Sequence, residues 1–400
     1  MEEKKTRDLL SLASIPLVMT LGNSMLIPVI PTIENELNIS NIQSSMIITV
    51  YSIVSIVLIP FAGYLSDKLG RKKVIIPSLA IAGVGGIISG FAAWKMQNPY
   101  WLILAGRLVQ GAGSSGAFPV VMPTVGDMFN NESDVSRGLG IIETANTFGK
   151  VLSPVLGSLF AAWIWFIPFW AIPVFTAISI VLVAIFVKVP EKEQAGNNQR
   201  LKEFVSQVRD IIKKNSRWLY TIFFLGLVSM FVYFGSLFYF SSSLEDKFGI
   251  QGIIRGLYIA VPLLALCVTS FITGKTIGQH KTLMKWIIFA GFLISAASLA
   301  GIIFIEHLTM MIAVLSVVNI GIGAALPSID ALITEGVEKE HRGTITCIYS
   351  SMRLLGVALG PPAIALLLKS TKTITFLSLA IIAVAAALTN LFFIKPAKKK

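Results

Sequence analysis

Long apolar stretches alternate with short polar ones along the whole chain. A helix needs about 20 apolar residues to cross the roughly 30 Å hydrocarbon layer of a membrane. Several stretches without any Asp, Glu, Lys or Arg reach or approach this length. They are 9–33, 37–66, 74–94, 108–126, 151–187, 218–244, 256–274, 286–305, 307–329 and 373–394. The pattern therefore predicts a protein built mainly of transmembrane helices.

Two further features complete the helix count. The stretch 151–187 is too long for one crossing, and it contains the aromatic and proline segment 163–168, which suits the membrane interface. We therefore expect two helices there. Three other segments of helical length carry charges: 99–122 with Arg107, 137–160 with Glu143 and Lys150, and 342–368 with Arg353. Together the segments predict an all-α integral membrane protein with 12 transmembrane helices.

The composition supports this class and excludes several others. Of the 400 residues, 54% are apolar and only 14% are charged, whereas a soluble domain carries about 25% charge. Two cysteines and three histidines are too few for a disulfide framework or a His-built metal centre. The chain has no nucleotide-binding loop and no cluster of catalytic residues, so we expect neither an enzyme nor a bound cofactor.

The net charge of +12 would suggest a nucleic-acid partner if it lay on a soluble surface. With the N-terminus inside, however, 25 of the 33 Lys and Arg residues fall in cytoplasmic segments and five in external loops. Membrane proteins concentrate Lys and Arg on the cytoplasmic side. We therefore expect both termini in the cytoplasm, contact with membrane lipid, and no nucleic-acid partner.

The longest polar stretch divides the predicted helices into two sets of six. We expect an N-terminal six-helix bundle at 1–188, a central cytoplasmic segment at 189–216 and a C-terminal six-helix bundle at 217–400. Apolar residues from Leu201 to Ile212 recur at helical spacing in the central segment, which fits an interfacial helix. A solvated linker with one helical turn is the alternative.

The two sets of helices share short patterns in the same order. The pairs are Gly111–Gly113 with Gly321–Gly323, Arg137–Gly138 with Arg342–Gly343, and Gly149–Pro154 with Gly356–Pro361. One such pair could arise by chance among apolar helices, but three in order indicate a duplicated unit. Duplicated six-helix units are a known plan of transporters, with the substrate site between the halves near the middle of the membrane. We therefore expect two pseudo-symmetric bundles that rock against each other.

A charged loop rich in glycine follows the second predicted helix, at 63–73. Its distinctive residues are Gly63, Asp67, Gly70 and Arg71. The loop resembles the cytoplasmic signature of the major facilitator superfamily, which forms a gate. A short basic loop is the alternative, and it explains the lysines but not the acid between two glycines.

The resemblance implies specific contacts for this gate. In the family, the loop Asp lies against the start of the eleventh helix, and the loop Arg pairs with an acid at the end of the fourth. Here these contacts would join Asp67 to the region of Arg342, and Arg71 to Asp127. We expect them to close the cytoplasmic side.

Arg107 in the fourth helix resembles a second motif of the family, whose buried Arg is linked to proton coupling. An Arg inside a span costs about 2.5–3.5 kcal/mol on insertion scales, so it must face a partner or water. A structural ion pair is the alternative.

The fifth helix carries small residues at the spacing of a motif that marks drug antiporters in this family. They are Gly140, Gly149, Ser153, Pro154 and Gly157, and Ser153 stands where the motif has Gly. Small residues let helices approach closely, and proline bends a helix. The resemblance implies a hinge and a seal, and small-residue packing without a role in transport is the alternative.

Acids inside spans are candidates for proton exchange. Burial favours the neutral form of a carboxyl group, and we therefore hypothesise that Glu143 exchanges a proton, helped by Arg107. Lys150 lies on the same face of the helix, so a static pair with Glu143 is the alternative. Asp330 in the tenth helix is either a second proton site or an interfacial acid.

Candidate substrate contacts come from three helices. They are Asn23 in the first, Met230, Tyr233 and Phe234 in the seventh, and Arg353 in the eleventh. Methionine and aromatic side chains suit an adaptable apolar pocket, and Arg353 suits a negatively charged part of a substrate.

The resemblance covers nearly the whole chain and is closest to the twelve-span drug and proton antiporters of bacteria. It implies a secondary active transporter of the bacterial cell membrane that uses the proton gradient and works by alternating access, with one chain sufficient. We expect proton-coupled export of small amphipathic compounds, with a small-molecule substrate, protons and lipid as partners. A dedicated transporter of a single metabolite, lipid precursor or metal complex is the alternative.

Overall fold

The computed structural model of this chain describes residues 3–129, 131–187, 216–250, 252–338, 341–367 and 371–394. The central segment expected at 189–216 lies outside these ranges except for Ser216. The described residues form α-helices joined by short loops, without a β-strand among them. The all-α prediction is confirmed.

Eight helices precede the central segment and six follow it within the described ranges. The first set is α1 (Glu3–Ser24), α2 (Ile30–Leu37), α3 (Asn41–Leu69), α4 (Arg71–Lys95), α5 (Tyr100–Ala117), α6 (Val121–Met128), α7 (Glu132–Trp163) and α8 (Ile167–Phe186), with a 3₁₀ turn at Ile27–Val29. The second set is α9 (Ser216–Asp246), α10 (Gly252–Thr276), α11 (Lys281–Ile302), α12 (Leu308–Gly336), α13 (Arg342–Leu367) and α14 (Lys372–Phe393).

These helices make 12 crossings, as expected. The helices α5 and α6 form one crossing that is interrupted around Pro119, and α2 is a short helix after the first crossing. Among the described residues, nine helices are long and apolar enough by themselves to cross a membrane. The other three crossings are α5–α6, α7 and α13, and they contain Arg107, Glu143 and Arg353. The crossings that contain Arg107, Glu143 and Arg353 are thus the three that do not qualify as membrane spans by length and hydropathy alone.

The fourth and fifth crossings extend further than hydropathy predicts. The fourth continues to Met128, and the fifth begins at Glu132. Asn131 caps the fifth crossing, because its side chain accepts a hydrogen bond from the backbone N–H of Ser133 at 3.0 Å. Glu132 and Asp134 in the first turn interact favourably with the helix dipole. A hydropathy pattern does not register these polar helix starts.

The helices of each set pack mainly against one another, and the two sets meet along two seams. In the first set α1 lies against α7 and α8, and α5 lies against α3 and α4; in the second, α9 lies against α13, and α12 against α10 and α11. The seams are α7 against α10 and α3 against α13. Outer faces expose large apolar side chains such as Val57, Ile185 and Leu264, which suits contact with lipid. The start of α1 and the end of α14 lie at the same end of the bundle, which we call the termini end.

The repeated glycines occupy equivalent places in the two bundles. Gly149 of α7 faces α1, where an added Cβ would lie 3.0 Å from the carbonyl oxygen of Leu17. Gly356 of α13 faces α9, where an added Cβ would lie 3.0 Å from Met230 Cβ. In both bundles, therefore, the fifth crossing packs against the first through a glycine. The sequence repeat corresponds to a structural repeat.

Candidate functional site

Arg353 of α13 joins carboxylates from both bundles. Its Nη2 donates to the two carboxylate oxygens of Glu143 in α7 at 2.9 and 3.0 Å. Its Nη1 lies 3.1 Å from both carboxylate oxygens of Asp330 in α12. Glu143 and Arg353 are each about three helical turns from the termini end of their helices, well inside the bundle. We call Glu143, Asp330 and Arg353 the central cluster.

Neutral side chains hold the two carboxylates of the central cluster. Asn146 Nδ2 lies 3.2 Å from each oxygen of Glu143, and Asn146 Oδ1 accepts a hydrogen bond from Thr20 of α1 at 2.6 Å. The Tyr349 hydroxyl donates to Asp330 at 2.7 Å. Asp330 is 1% exposed and is therefore a buried partner, not an interfacial acid. A continuous polar path runs from α1 through α7 and α13 to α12.

The structure differs from the alternative in which Glu143 pairs with Lys150. Within the described part of the chain, the ion pair of Glu143 is with Arg353, and Lys150 has none. The Lys150 ammonium lies 4.8 Å from the ring centroid of Tyr233 and 4.0 Å from Met230 Sδ. The chemistry of the two cations explains why Glu143 pairs with Arg353. The planar guanidinium of Arg353 can bond to one carboxylate on each side, whereas the ammonium of Lys150 is a point charge.

Arg107 of α5 lies in a separate, fully buried network of the first bundle. Its Nε donates to the carbonyl of Ile47 at 2.8 Å, and its Nη1 and Nη2 donate to the side-chain oxygens of Gln110 at 2.6 Å and Asn23 at 2.7 Å. The guanidinium carbon lies 4.6 Å from the ring centroid of Tyr51. These partners are neutral, so the ion pair considered for Arg107 is not formed among the described residues.

A cavity of about 90 Å³ lies between the two bundles beside the central cluster. Its lining includes four of the five residues expected to contact substrate: Asn23, Met230, Phe234 and Arg353. The fifth, Tyr233, lies behind the cavity wall with its ring edge-to-face against Phe234, at 4.7 Å between centroids. The space suffices for only a few water molecules.

The polarity of this cavity is asymmetric. Lys150 and Arg353 are the charged residues of its described lining, and no carboxylate lines it there. Phe118, Met122 and Leu354 are among the side chains that give it an apolar surface. The described lining is therefore amphipathic, and its charged side chains are cations.

At the termini end, a second charged network connects the bundles. Asp67 Oδ2, near the end of α3, accepts hydrogen bonds from the backbone N–H and the hydroxyl of Thr344, each at 3.0 Å. Thr344 lies in the first turn of α13, so the helix dipole also favours the carboxylate. Arg71 lies 2.6 Å from Asp67 and 2.8 Å from Asp127 of α6. Gly70 has a φ of 100°, which favours glycine, and this tight turn places Asp67 and Arg71 together.

Arg342 and Gly63 complete this network, which we call the gate network. Arg342 Nη1 donates to the carbonyl of Gly126 at 2.7 Å and lies 3.5 Å from Asp127. A Cβ added at Gly63 would lie only 2.8 Å from Cys347 Cβ, so α3 and α13 touch closely there. The contacts that the loop motif implies are present, and they tie α3, α4 and α6 to α13 at the termini end.

The small residues singled out in α7 face both bundles. They are Gly140, Gly149, Ser153, Pro154 and Gly157. Gly140 faces Gly274 of α10, whose carbonyl oxygen would lie 3.3 Å from an added Cβ. Gly157 faces the segment after α1, where an added Cβ would lie 3.0 Å from Pro28 Cγ. Ser153 donates its hydroxyl to the carbonyl of Gly149 at 2.7 Å, so it fits where the family motif has Gly. The role of a hinge stays a prediction.

The profile of the Major Facilitator Superfamily matches residues 12–361 and, in a second match, 284–400 of this chain. The chain belongs to the major facilitator superfamily. The two-bundle fold and the family resemblance of the loop motif are thereby confirmed for this superfamily member.

Relatives of this superfamily member include bacterial efflux proteins. The bacillibactin exporter of Bacillus subtilis (strain 168) is 49% identical over 395 residues, which cover 98% of each chain. The class G tetracycline resistance protein of Vibrio anguillarum is 25% identical over 360 residues, which cover 85% of each. The crystal structure of the human organic anion transporter MFSD10 has a TM-score of 0.80 at 14% identity and covers 98% of this chain and 100% of its own, which shows the shared fold.

Sequence reasoning found the charged residues of this superfamily member's site but missed neutral ones. Asn146 lies three residues after Glu143, and Tyr349 lies four residues before Arg353. Helical spacing from each charge would have identified both, because residues three and four apart share a helix face. Thr20 carries no such signal, because its partner lies on another helix.

Proposed function

We propose that this superfamily member exports a small acidic metabolite of the siderophore class in exchange for protons. The observation that carries the proposal is the sharing of Arg353 between Glu143 of the first bundle and Asp330 of the second. The ion pair of Glu143 with Arg353 joins the two bundles. Protonation of Glu143 therefore directly affects how the bundles contact each other.

Coupling follows from competition for the Arg353 guanidinium. A proton on Glu143 removes the carboxylate charge and weakens its bond to Arg353. An anionic substrate that binds Arg353 displaces the same carboxylate. When both acids are ionised and no substrate is bound, the ion pairs with Arg353 hold the two bundles in one arrangement. When a proton or a substrate is bound, the bundles can move between the inward-open and outward-open states. Protons are exchanged for substrate if only the transporter loaded with one of them changes state.

The cavity and one relative favour an acidic substrate. A lining that contains Lys150 and Arg353 and, among its described residues, no carboxylate attracts anions rather than lipophilic cations. Phe118 and Met122 add apolar surface for an amphipathic body. The relative that is 49% identical is named a bacillibactin exporter, and it supports a dedicated metabolite over a broad range of drugs.

Alternating access is part of the proposal. The cavity of about 90 Å³ is smaller than the roughly 300–1,000 Å³ of pockets for drug-sized ligands, so the bundles must separate for loading. The bias of Lys and Arg supports a cytoplasmic location of the termini end. The gate network closes that end in the present state, so substrate enters from the cytoplasm in another one.

Transport into liposomes tests the proposal. The vesicles have an acidic lumen that contains a pH dye. Bacillibactin is added outside, to transporters whose termini end faces outward. We expect bacillibactin to accumulate while protons leave the lumen. Glu143→Gln should lower gradient-driven accumulation by about tenfold or more, because a glutamine cannot carry the exchanged proton, while exchange of labelled for unlabelled substrate persists.

Glu132→Gln is the matched control. It makes the same change in the same helix, but Glu132 lies at the exposed end of α7, 3.7 Å from Lys281, and its transport should match the wild type. Gradient-driven accumulation that persists in Glu143→Gln would contradict the coupling. Tetraphenylphosphonium transported as fast as bacillibactin would favour multidrug export instead.

A further inference from the structure

We infer that Lys150 anchors the acidic group of the substrate, in an organic-anion subsite formed by its ammonium and the aromatic side chains beside it. The inference deepens the proposed function and rests on it, because it assigns one acidic group of the substrate to Lys150, in the same cavity as the Arg353 guanidinium on which the coupling depends.

Lys150 is buried, faces the cavity and forms no ion pair with any described residue. Its side chain is 6% exposed and belongs to the cavity lining. The contacts of its ammonium are the ring of Tyr233, at 4.8 Å from the centroid, and Met230 Sδ, at 4.0 Å. Burying an ammonium without a counter-ion is costly. A site that binds an anion during each cycle removes that cost when it is occupied.

The charges inside the bundle leave one positive charge in excess. The buried charged residues near the middle of the described helices are Arg107, Lys150, Arg353, Glu143 and Asp330. Arg353 is paired with both acids. Arg107 has Nε, Nη1 and Nη2 bonded to neutral acceptors. Among the described residues, therefore, Lys150 is the cation of this set whose nitrogen has no oxygen partner, and a bound monoanion would make the set neutral.

The surroundings of Lys150 define the rest of the ligand. The Tyr233 ring that lies under the ammonium packs edge-to-face against Phe234, which lines the cavity. Phe118 and Tyr51 line it from the first bundle. A flat aromatic body can pack against these rings, with its carboxylate or phenolate on Lys150. The subsite therefore fits an aromatic acid better than an aliphatic or a neutral compound.

Equilibrium binding to the full chain in lipid nanodiscs tests this subsite. The probes are radiolabelled salicylate and its neutral analogue salicylamide, which has the same ring. We expect the wild type to bind salicylate about tenfold more tightly, which corresponds to one charge-assisted hydrogen bond. Lys150→Gln should remove this preference by weakening salicylate alone, and Lys150→Arg should keep it.

Lys275→Gln is the matched control. Lys275 also lies over an aromatic ring, 4.0 Å from the centroid of Phe271, but it is exposed at the end of α10 and outside the cavity lining. Its variant should bind both probes as the wild type does.

Three results would overturn the inference: equal binding of the two probes by the wild type, unchanged salicylate binding in Lys150→Gln, or lost salicylate preference in Lys150→Arg with salicylamide binding intact. The first needs no variant, so a misfolded Lys150→Gln does not block the test. Failure of bacillibactin export with the salicylate preference retained would overturn the proposed function and leave the subsite standing. Intact export without the preference would overturn the subsite alone.

Discussion

The guanidinium of Arg353 joins two buried acids that lie on different helices. It bonds to Glu143 through one nitrogen and to Asp330 through the other. Each carboxylate keeps a further neutral donor, Asn146 or Tyr349. A buried charge is tolerated when it is paired and its remaining bonds are satisfied, and this arrangement meets both conditions. The same arrangement makes the loss of Arg353 severe, because two acids would remain buried without a cation.

Arg353→Met should destabilise the protein by about 3–5 kcal/mol, the cost of leaving buried charge without its partner. Thermal unfolding in detergent, followed by loss of helical circular dichroism, measures the effect. The triple variant Arg353→Met, Glu143→Gln and Asp330→Asn should recover most of the loss, because the unpaired charges are gone. Arg137→Met at an exposed position of α7 is the control, and it should unfold as the wild type does. A single variant as stable as the wild type would show that the cluster contributes little to the fold.

Helices α3 and α13 form the seam that closes the termini end. The reactivity of a cysteine in this seam can be used to measure its opening. Cys347 is a free, fully buried thiol on α13 that lies against Gly63 of α3. The gate network lies beside it, where Asp67 bonds to Thr344. Because the chain has only two cysteines, a Cys267→Ser background leaves Cys347 as the single thiol. Its reactivity toward a maleimide therefore measures how often this seam opens.

Gly63→Ala should raise the labelling rate of Cys347 by about tenfold. The added methyl group overpacks the closed seam, and overpacking destabilises a packed interface by about 1–3 kcal/mol relative to the open state. The added Cβ would lie 2.8 Å from Cys347 Cβ and 3.1 Å from the carbonyl oxygen of Gly343. The control is Gly301→Ala in α11, where an added Cβ meets nothing within 4 Å. Labelling of Gly63→Ala at the wild-type rate would mean that the seam adapts without opening.

Two charged networks at different depths connect the bundles in the whole molecule. The central cluster joins α7, α12 and α13 inside the membrane, and the gate network joins α3, α4 and α6 to α13 at the termini end. Because α13 takes part in both, a change at one network reaches the other through a single helix. Contact between the bundles at the termini end should therefore depend on protonation of the central cluster.

Cys347 labelling, normalised to a free thiol at each pH, should rise as the pH falls. A proton on Glu143 or Asp330 removes the carboxylate charge that Arg353 binds, so protonation weakens this contact between the bundles and favours the open seam. The carboxylates of these acids bond to Asn146 of α7 and to Tyr349 and Arg353 of α13, and the Lys150 ammonium and the Tyr233 hydroxyl also interact with Glu143. Glu143→Gln should label quickly at every pH, because its bond to the guanidinium is weaker.

Glu335 is the control for this pH dependence. It is an acid of the gate region on α12 that accepts a hydrogen bond from Ser136 of α7. Glu335→Gln should keep the pH dependence of the wild type. If Glu335→Gln loses the dependence and Glu143→Gln keeps it, the gate responds to its own acid and the central cluster does not control it.

The sequence by itself determined the crossings and the two bundles, and its resemblance to the family implied the partners of the gate loop. The contacts of Asp67 with the start of α13 and of Arg71 with Asp127 followed from the resemblance of the loop at 63–73 to the family signature. Hydropathy is a local property, so each helix can be recognised without its neighbours. The repeated glycines indicated the duplication for the same reason, because close helix packing requires a small residue at a fixed position.

Only the tertiary structure decided the partners inside the membrane. Glu143 and Lys150 share a helix face, yet Glu143 pairs with Arg353, which lies 210 residues away in the chain. Arg107 has neutral partners from three helices, and Tyr233 lies behind the cavity wall although its neighbour Phe234 lines it. These outcomes depend on how each helix is rotated and on which helix lies beside it. Rotation is set by packing between helices, which the pattern of one helix does not contain.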